Sequence, residues 1–308
     1  MSENSIDLLV QLLAEMNKVK SISINSAKEI FFSILKIKNV RSSTTTYYKN
    51  LFYRLDKDFV KFNINETNQL DTKNVSNLIS NWIDEGLSNN YINKLIKAIR
   101  YILKLLKDYD YISTPCLKVE LLKEEENRIN KIEDNDLNKI IDYILTSPLK
   151  YQAIIFVLLY TGVRRTELTQ ILLRNVNLTN NSILLETTKV GEIRTVFFTS
   201  EVNIILNRYL ESYKPIKYLF EVSPGVAYKP EGITRILDRI KKSLNLDTLS
   251  AHQFRHTFAT KLFEASCDIE FTRVLLGHHD TTMTMRYIHH STSINKERYD
   301  KLNLKLDK

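Results

Sequence analysis

Glycine and proline are scarce, six and five residues among 308. A strand-rich sandwich needs many turns built on those two residues, so the shortage favours helices. Cysteine is rarer still. Cys116 and Cys267 stand far apart and suit neither a disulfide framework nor a metal cage. A reducing, cytoplasmic setting is therefore expected, and the Asn-, Lys- and Ile-rich composition suggests a prokaryotic or viral host. Long apolar runs are missing as well: the stretch at 153–160 is too short to span a bilayer. The first twenty residues mix acidic and polar with apolar side chains, without the basic start or cleavage site of a signal peptide, and none is expected. Neither a phosphate-cradling P-loop nor the acidic cluster of a two-metal nuclease occurs, which is consistent with an expected chemistry that uses no ATP, metal or other cofactor.

What is abundant points elsewhere. Lys and Arg outnumber Asp and Glu by 44 to 36, a formal net charge of +8, which suits a polyanionic partner. The length and a hydrophobic fraction of 43% leave room for two domains with a core each. Residues 1–112 read as a helical bundle. Apolar residues recur at helical spacing over 26–36 (Ile30, Phe31, Ile34, Leu35) and over 43–62, where Tyr47, Tyr48, Leu51, Phe52, Leu55 and Phe59 share one side. Asn74 is a candidate cap for a helix that Gly86 ends, and Ser88 for the next. That next helix sets Ile92, Leu95, Ile96, Ile99, Ile102, Leu103 and Leu106 on one face and Lys94, Lys97, Arg100, Lys104 and Lys107 on the other.

Residues 113–130 hold Pro115 and a charge run at 123–126, lose the periodicity and read as a linker. The second domain is expected over 131–308, opening on a helix capped by Asp134 or Asn135. Strands are expected at 182–186 and 193–199 around a turn at Val190-Gly191. Helices follow near 201–212, 232–244, 252–265 and 271–276. The expected fold class is mainly α with one small antiparallel sheet.

All six histidines fall between His252 and His290. In chain order the second domain presents Thr161-Gly162-Val163-Arg164 with Glu167 and Leu168 behind it, then Lys189 to Arg194 in the expected hairpin. His252-Gln253-Phe254-Arg255 and Leu276-Gly277-His278 follow, with Tyr287 nine residues beyond. Each piece alone is common. Their order and spacing resemble the tyrosine recombinase family of phage integrases and Xer proteins. Ser43-Thr44 with Tyr47-Tyr48, and Gly86-Leu87-Ser88 leading to Ile99-Arg100-Tyr101, are similar to that family's core-binding domain, so the resemblance covers nearly the whole chain.

The resemblance implies a C-shaped, two-domain clamp on double-stranded DNA. It implies that Arg164 and Arg255 grip a phosphate, a task suited to planar guanidinium groups that stay charged and bond in pairs. It also implies Tyr287 as the nucleophile, His252 as an aid to its deprotonation, Lys189 as the acid for the leaving 5′-oxygen and His278 as a phosphate donor. Glu167 is expected to buttress a histidine or an arginine, or else to be a helix-surface carboxylate. Lys94, Lys97, Arg100 and Lys104 are candidate DNA contacts, or an ordinary solvated face. A register error in the hairpin would displace Lys189. Arg165 departs from the family's usual apolar residue and faces DNA or solvent, and His256, His279, His289 and His290 are expected to be structural or exposed. A homotetramer on two sites is implied, passing through a Holliday junction, with the tail at 291–308 exchanged between protomers. The compact length favours a Xer-like resolvase over an integrase or transposase of a mobile element. A type IB topoisomerase, which shares the phosphotyrosyl chemistry, and a DNA-binding relative without catalysis are the alternatives.

Overall fold

The computed structural model describes residues 20–113, 117–124, 130–186, 193–266, 268–278 and 284–285. The chain divides into two compact units, 1–127 and 128–308, each with a core of its own.

The first unit is built from helices α1 (Ile24–Ile37), α2 (Ser42–Lys61), α3 (Thr72–Asp84) and α4 (Asn89–Asp108). Side-chain caps start three of them. Ser23 accepts from Ser26 N–H, Asp71 from Asn74 N–H, and Ser88 from Tyr91 N–H. The cap of α3 is therefore Asp71 and not Asn74, whose own N–H is the one being capped. A carboxylate three residues upstream does the job better because it also meets the positive end of the helix dipole. Gly86, at φ +75°, lies just past the end of α3 in the left-handed region. The apolar face of α4 is buried throughout, from Ile92 to Leu106, and packs on α1, α2 and α3. On α2, Leu51, Phe52, Leu55 and Phe59 are buried, whereas Tyr47 lies at the rim against Tyr48. One charge enters this core: Asp58 accepts from Trp82 Nε1–H and Arg54 Nε–H, both at 2.8 Å.

Residues 117–124 carry no helix or strand, yet they belong to the first unit. Leu117 and Val119 are buried in its core, and Asn93 exchanges hydrogen bonds with the backbone of Leu122. On the opposite face of α4, Lys94, Lys97 and Lys104 are exposed and Arg100 is half-buried. Lys97 pairs with Glu124 at 3.2 Å.

The second unit begins by tying Ile132 N–H to Thr257 Oγ1 at 2.9 Å. Its first helix, α5 (Asp134–Leu145), follows Glu133, which gives no side-chain cap. The expected cap residues Asp134 and Asn135 both lie inside the first turn, where Asp134 still favours the dipole. Next comes α6 (Leu149–Thr161), apolar on almost every side and buried accordingly. It packs against α8 (Ser200–Tyr213) and α10 (Ala251–Ser266) and so forms the centre of the unit. Between them lie the short α7 (Arg165–Gln170) and an antiparallel sheet of order β1 (Val176–Asn177), β2 (Ser182–Leu185), β3 (Arg194–Phe197). Strand register pairs Ile183 with Val196 and Leu185 with Arg194.

A second, two-stranded ribbon was not expected: β4 (Glu221–Ser223) with β5 (Val226–Ala227). Strands of two and three residues with a bulge are too short to show alternation. The Glu221 carboxylate holds this corner by accepting the N–H groups of Ile216, Lys217, Tyr218 and Gly225. Helices α9 (Pro230–Ser243) and α11 (Ile269–Leu276) complete the unit. Among the described residues, no helix is long and apolar enough to cross a membrane.

Candidate active site

Three guanidinium groups converge on the last turn of α11. A helix ends in carbonyls that no N–H of its own can reach, and here other elements supply the donors. Arg194, the first residue of β3, donates Nε–H to Leu275 O at 3.2 Å. Arg255 of α10 donates from Nη2 to Leu276 O at 2.5 Å. Arg164, immediately before α7, donates from Nη2 to Gly277 O at 2.9 Å. The negative end of the helix dipole favours these charges. Arg164 and Arg255, 91 residues apart in sequence, thus sit on consecutive carbonyls.

Two left-handed glycines make this close packing feasible. Gly162 ends α6 at φ +61° and Gly277 ends α11 at φ +62°. A Cβ on Gly162 would stand 2.3 Å from the Phe258 ring, and one on Gly277 2.9 Å from the Arg194 side chain. The carbonyl of Gly162 accepts the other arm of Arg255, Nη1, at 2.7 Å. Arg255 is consequently buried and spans from α6 to α11.

Glu167 is buried as well, which rules out a helix-surface carboxylate. One of its oxygens reaches back to Arg164 N–H at 2.8 Å, half of a capping box, and the other accepts from Arg164 Nη1 at 2.7 Å. Arg194 grips the same carboxylate from the far side as a fork, at 3.0 and 2.8 Å. Burial by itself would raise the pKa of Glu167, but Arg194 and then Arg164 overcome it and hold the carboxyl at about 2.

Two histidines lie in the field of these cations. His252, exposed near the start of α10, has its pKa lowered by partial burial, then by Arg255 and Arg164. Its ring meets that of His256 edge-on at 4.2 Å. His278 is buried, with Nδ1 2.9 Å from Thr284 Oγ1. Burial, followed by Arg255, Arg164 and Arg194, pulls its pKa down to about 3, so both rings are neutral at pH 7. The consequence for stability has a definite sign. The unfolded chain takes a proton on His278 below its ordinary pKa of about 6.5 while the folded chain does not, so stability is lost as the pH falls. Urea denaturation at pH 6.5 and pH 5 should show a loss of about 2 kcal/mol from this group, since one pKa unit corresponds to about 1.4 kcal/mol. His278→Gln should flatten the profile by that amount. Glu167 contributes nothing in this window, because its stabilisation fades only below the ordinary carboxylate range. An unchanged pH profile in the variant would refute the assignment.

Of the expected site residues, Arg164, Glu167, His252, Arg255 and His278 are therefore brought to one place. Lys189 and Tyr287 lie outside the described residues. Arg165 is exposed and donates to Thr234 Oγ1 on α9. Arg194 had no role assigned from the sequence. A signal was present: it shares a strand face with Val196 and Phe198, both buried, and a charge at a core-facing position needs a partner.

The profile of the phage integrase family matches residues 130–293, a stretch that contains every residue of this cluster. The chain belongs to the phage integrase family. Its relatives identify it as Xer-like among the tyrosine recombinases. Tyrosine recombinase XerA of Saccharolobus solfataricus is 37% identical over 140 residues, 46% of this chain and 46% of that protein. Tyrosine recombinase XerD of Staphylococcus epidermidis is 25% identical over 294 residues, 89% of this chain and 97% of that protein. The fold of this family member also matches a lambda integrase dimer bound to a COC′ core site, with a TM-score of 0.72 at 17% identity, over 97% of this chain and 83% of that one.

Proposed function

We propose that this chain is a site-specific DNA recombinase in which Arg164 and Arg255 hold the scissile phosphate and Tyr287 attacks it. The observation that carries this reading is the meeting of the two arginines on Gly277 O and Leu276 O. A phosphodiester bears one negative charge and gains another as a fifth oxygen approaches phosphorus, so fixed positive donors stabilise the transition state. The Tyr287 Oη–P bond forms as the P–O5′ bond breaks, leaving a 3′-phosphotyrosyl ester. The phenolic proton departs with the help of His252, whose lowered pKa keeps it free to accept. Lys189 protonates the leaving 5′-oxygen. His278, neutral, donates one hydrogen bond to the phosphate. The ester conserves the bond energy, and reversal of the same steps rejoins strands without ATP or metal.

In this reading the DNA is a double-stranded recombination site, held by the catalytic unit and by phosphate contacts from the exposed Lys94, Lys97 and Lys104, with the half-buried Arg100 beside them. The Lys97–Glu124 pair is exposed and exchanges readily for a phosphate. Four protomers on two sites swap one strand pair through a Holliday junction and then the other, and the tail at 291–308 docks on a neighbouring protomer. Xer-like resolution is favoured over mobile-element integration by the near full-length likeness to XerD. The test uses the full chain and a pool of nicked duplexes of randomised sequence, in which loss of a short 5′ fragment traps the cut state. Wild type should yield a detergent-stable protein–DNA adduct enriched for one sequence, and Tyr287→Phe none. An adduct with the phenylalanine variant, or none with wild type, would overturn the proposal. Adducts mapped to one recurrent genomic locus support resolution, and scattered ones support mobility.

A further inference from the structure

The fork of Arg194 on Glu167 is more than a fold contact, because Glu167 also touches Arg164. A carboxylate paired with Arg164 alone would cancel the charge that a phosphate needs. In the structure each Glu167 oxygen is shared: Oε1 between Arg164 Nη1 and Arg194 Nη1, Oε2 between Arg164 N–H and Arg194 Nη2. Among the described side chains, three guanidinium groups meet one buried carboxylate at this helix end, a side-chain balance of two positive charges. We infer that Arg194 is a positioning residue that supplies the counter-charge to Glu167, so that Glu167 can fix the Arg164 side chain without neutralising the site. This rests on the reading of Arg164 and Arg255 as phosphate ligands.

The charge count makes the inference specific. Each positive charge that the site keeps favours the phosphorane, which carries two negative charges, over the ground-state diester, which carries one. Losing Arg194 should therefore slow cleavage far more than it weakens DNA binding. The geometry explains why this arginine is held so firmly. It is nearly buried, its Nε–H is spent on Leu275 O, and it lies against Gly277 so closely that a methyl group there would collide with it.

The experiment uses the duplex selected by wild type, in two forms: the ordinary diester, and a methylphosphonate in which a methyl group replaces one non-bridging oxygen at the scissile position. The methylphosphonate starts neutral and reaches only one negative charge, so it needs one positive charge fewer. Arg194→Met should cleave the diester about ten- to a hundredfold more slowly, comparable with losing an outer partner that orients a metal ligand, with DNA affinity nearly unchanged. On the methylphosphonate most of that gap should close. The double variant Arg194→Met, Glu167→Gln restores two positive charges and should recover part of the diester activity. Equal losses on both substrates, or a double variant slower than the single one, would show that Arg194 merely supports the fold and would overturn the inference. The double variant, in which no buried carboxylate is left short of a partner, keeps that comparison valid even if Arg194→Met folds poorly. Absence of any adduct with wild type would instead remove the underlying reading.

Discussion

Glu167→Ala should lower the unfolding free energy of the second unit by about 3–5 kcal/mol, the range for breaking a buried ion pair from one side. The carboxylate is nearly inaccessible and accepts four hydrogen bonds. Removing it leaves the Arg164 and Arg194 guanidinium groups facing each other with little water to screen them. The protein contains its own control. Its single tryptophan, Trp82, is fully buried in the first unit, and each unit has a separate core. In urea, Trp82 fluorescence should keep its midpoint, while the far-ultraviolet dichroism, which reports helices of both units, should gain an early transition. A loss under about 1 kcal/mol, the value of an exposed salt bridge, would mean that water reaches the cluster. Glu167→Gln should be milder, because the amide keeps one acceptor and the shape of the side chain.

The sequence made the helices legible because their signals are local. Apolar residues at every third or fourth position mark α4, and Ser88 marks its start; nothing distant is needed to read either. The cap of α3 was misplaced by three residues because Asp71 and Asn74 are both good cap residues, and only backbone geometry decides which N–H is capped. The β4–β5 ribbon left no pattern, being held by the many backbone bonds to Glu221 and not by alternating side chains. The candidate site divides in the same way. Arg164, His252, Arg255 and His278 could be picked out from the likeness of their motifs to those of the tyrosine recombinase family, but the reason they meet could not. That reason is the carboxyl end of α11, whose carbonyls are claimed by arginines from three other elements, and carbonyls carry no sequence signal. Arg194 escaped for a related cause: its partner Glu167 lies 27 residues earlier on a helix, and only the tertiary fold brings the two into contact.

Arg255→Lys should reduce adduct formation by about 10²–10³-fold, the cost of losing one donor from a preorganised anion site, while DNA affinity falls little. The argument begins from what the guanidinium does before any DNA arrives. One arm bonds Gly162 O, at the end of α6, and the other bonds Leu276 O, at the end of α11. Those two bonds fix the plane of the group, and a plane fixed in advance loses little entropy when it meets a phosphate. Lysine keeps the charge and most of the length but has a single nitrogen, which cannot reach both carbonyls and turn a donor outward as well. Charge alone would therefore predict near-normal cleavage, and preorganisation predicts a large defect. Single-turnover cleavage of the selected duplex separates the two. Arg255→Ala is the poorer test, since it leaves both carbonyls without this donor, at about 1–3 kcal/mol for each one left unsatisfied, and so mixes folding with chemistry. If Arg255→Lys cleaves within a few-fold of wild type, the two carbonyl bonds are incidental, and the packing of α6, α10 and α11 around one side chain serves stability alone.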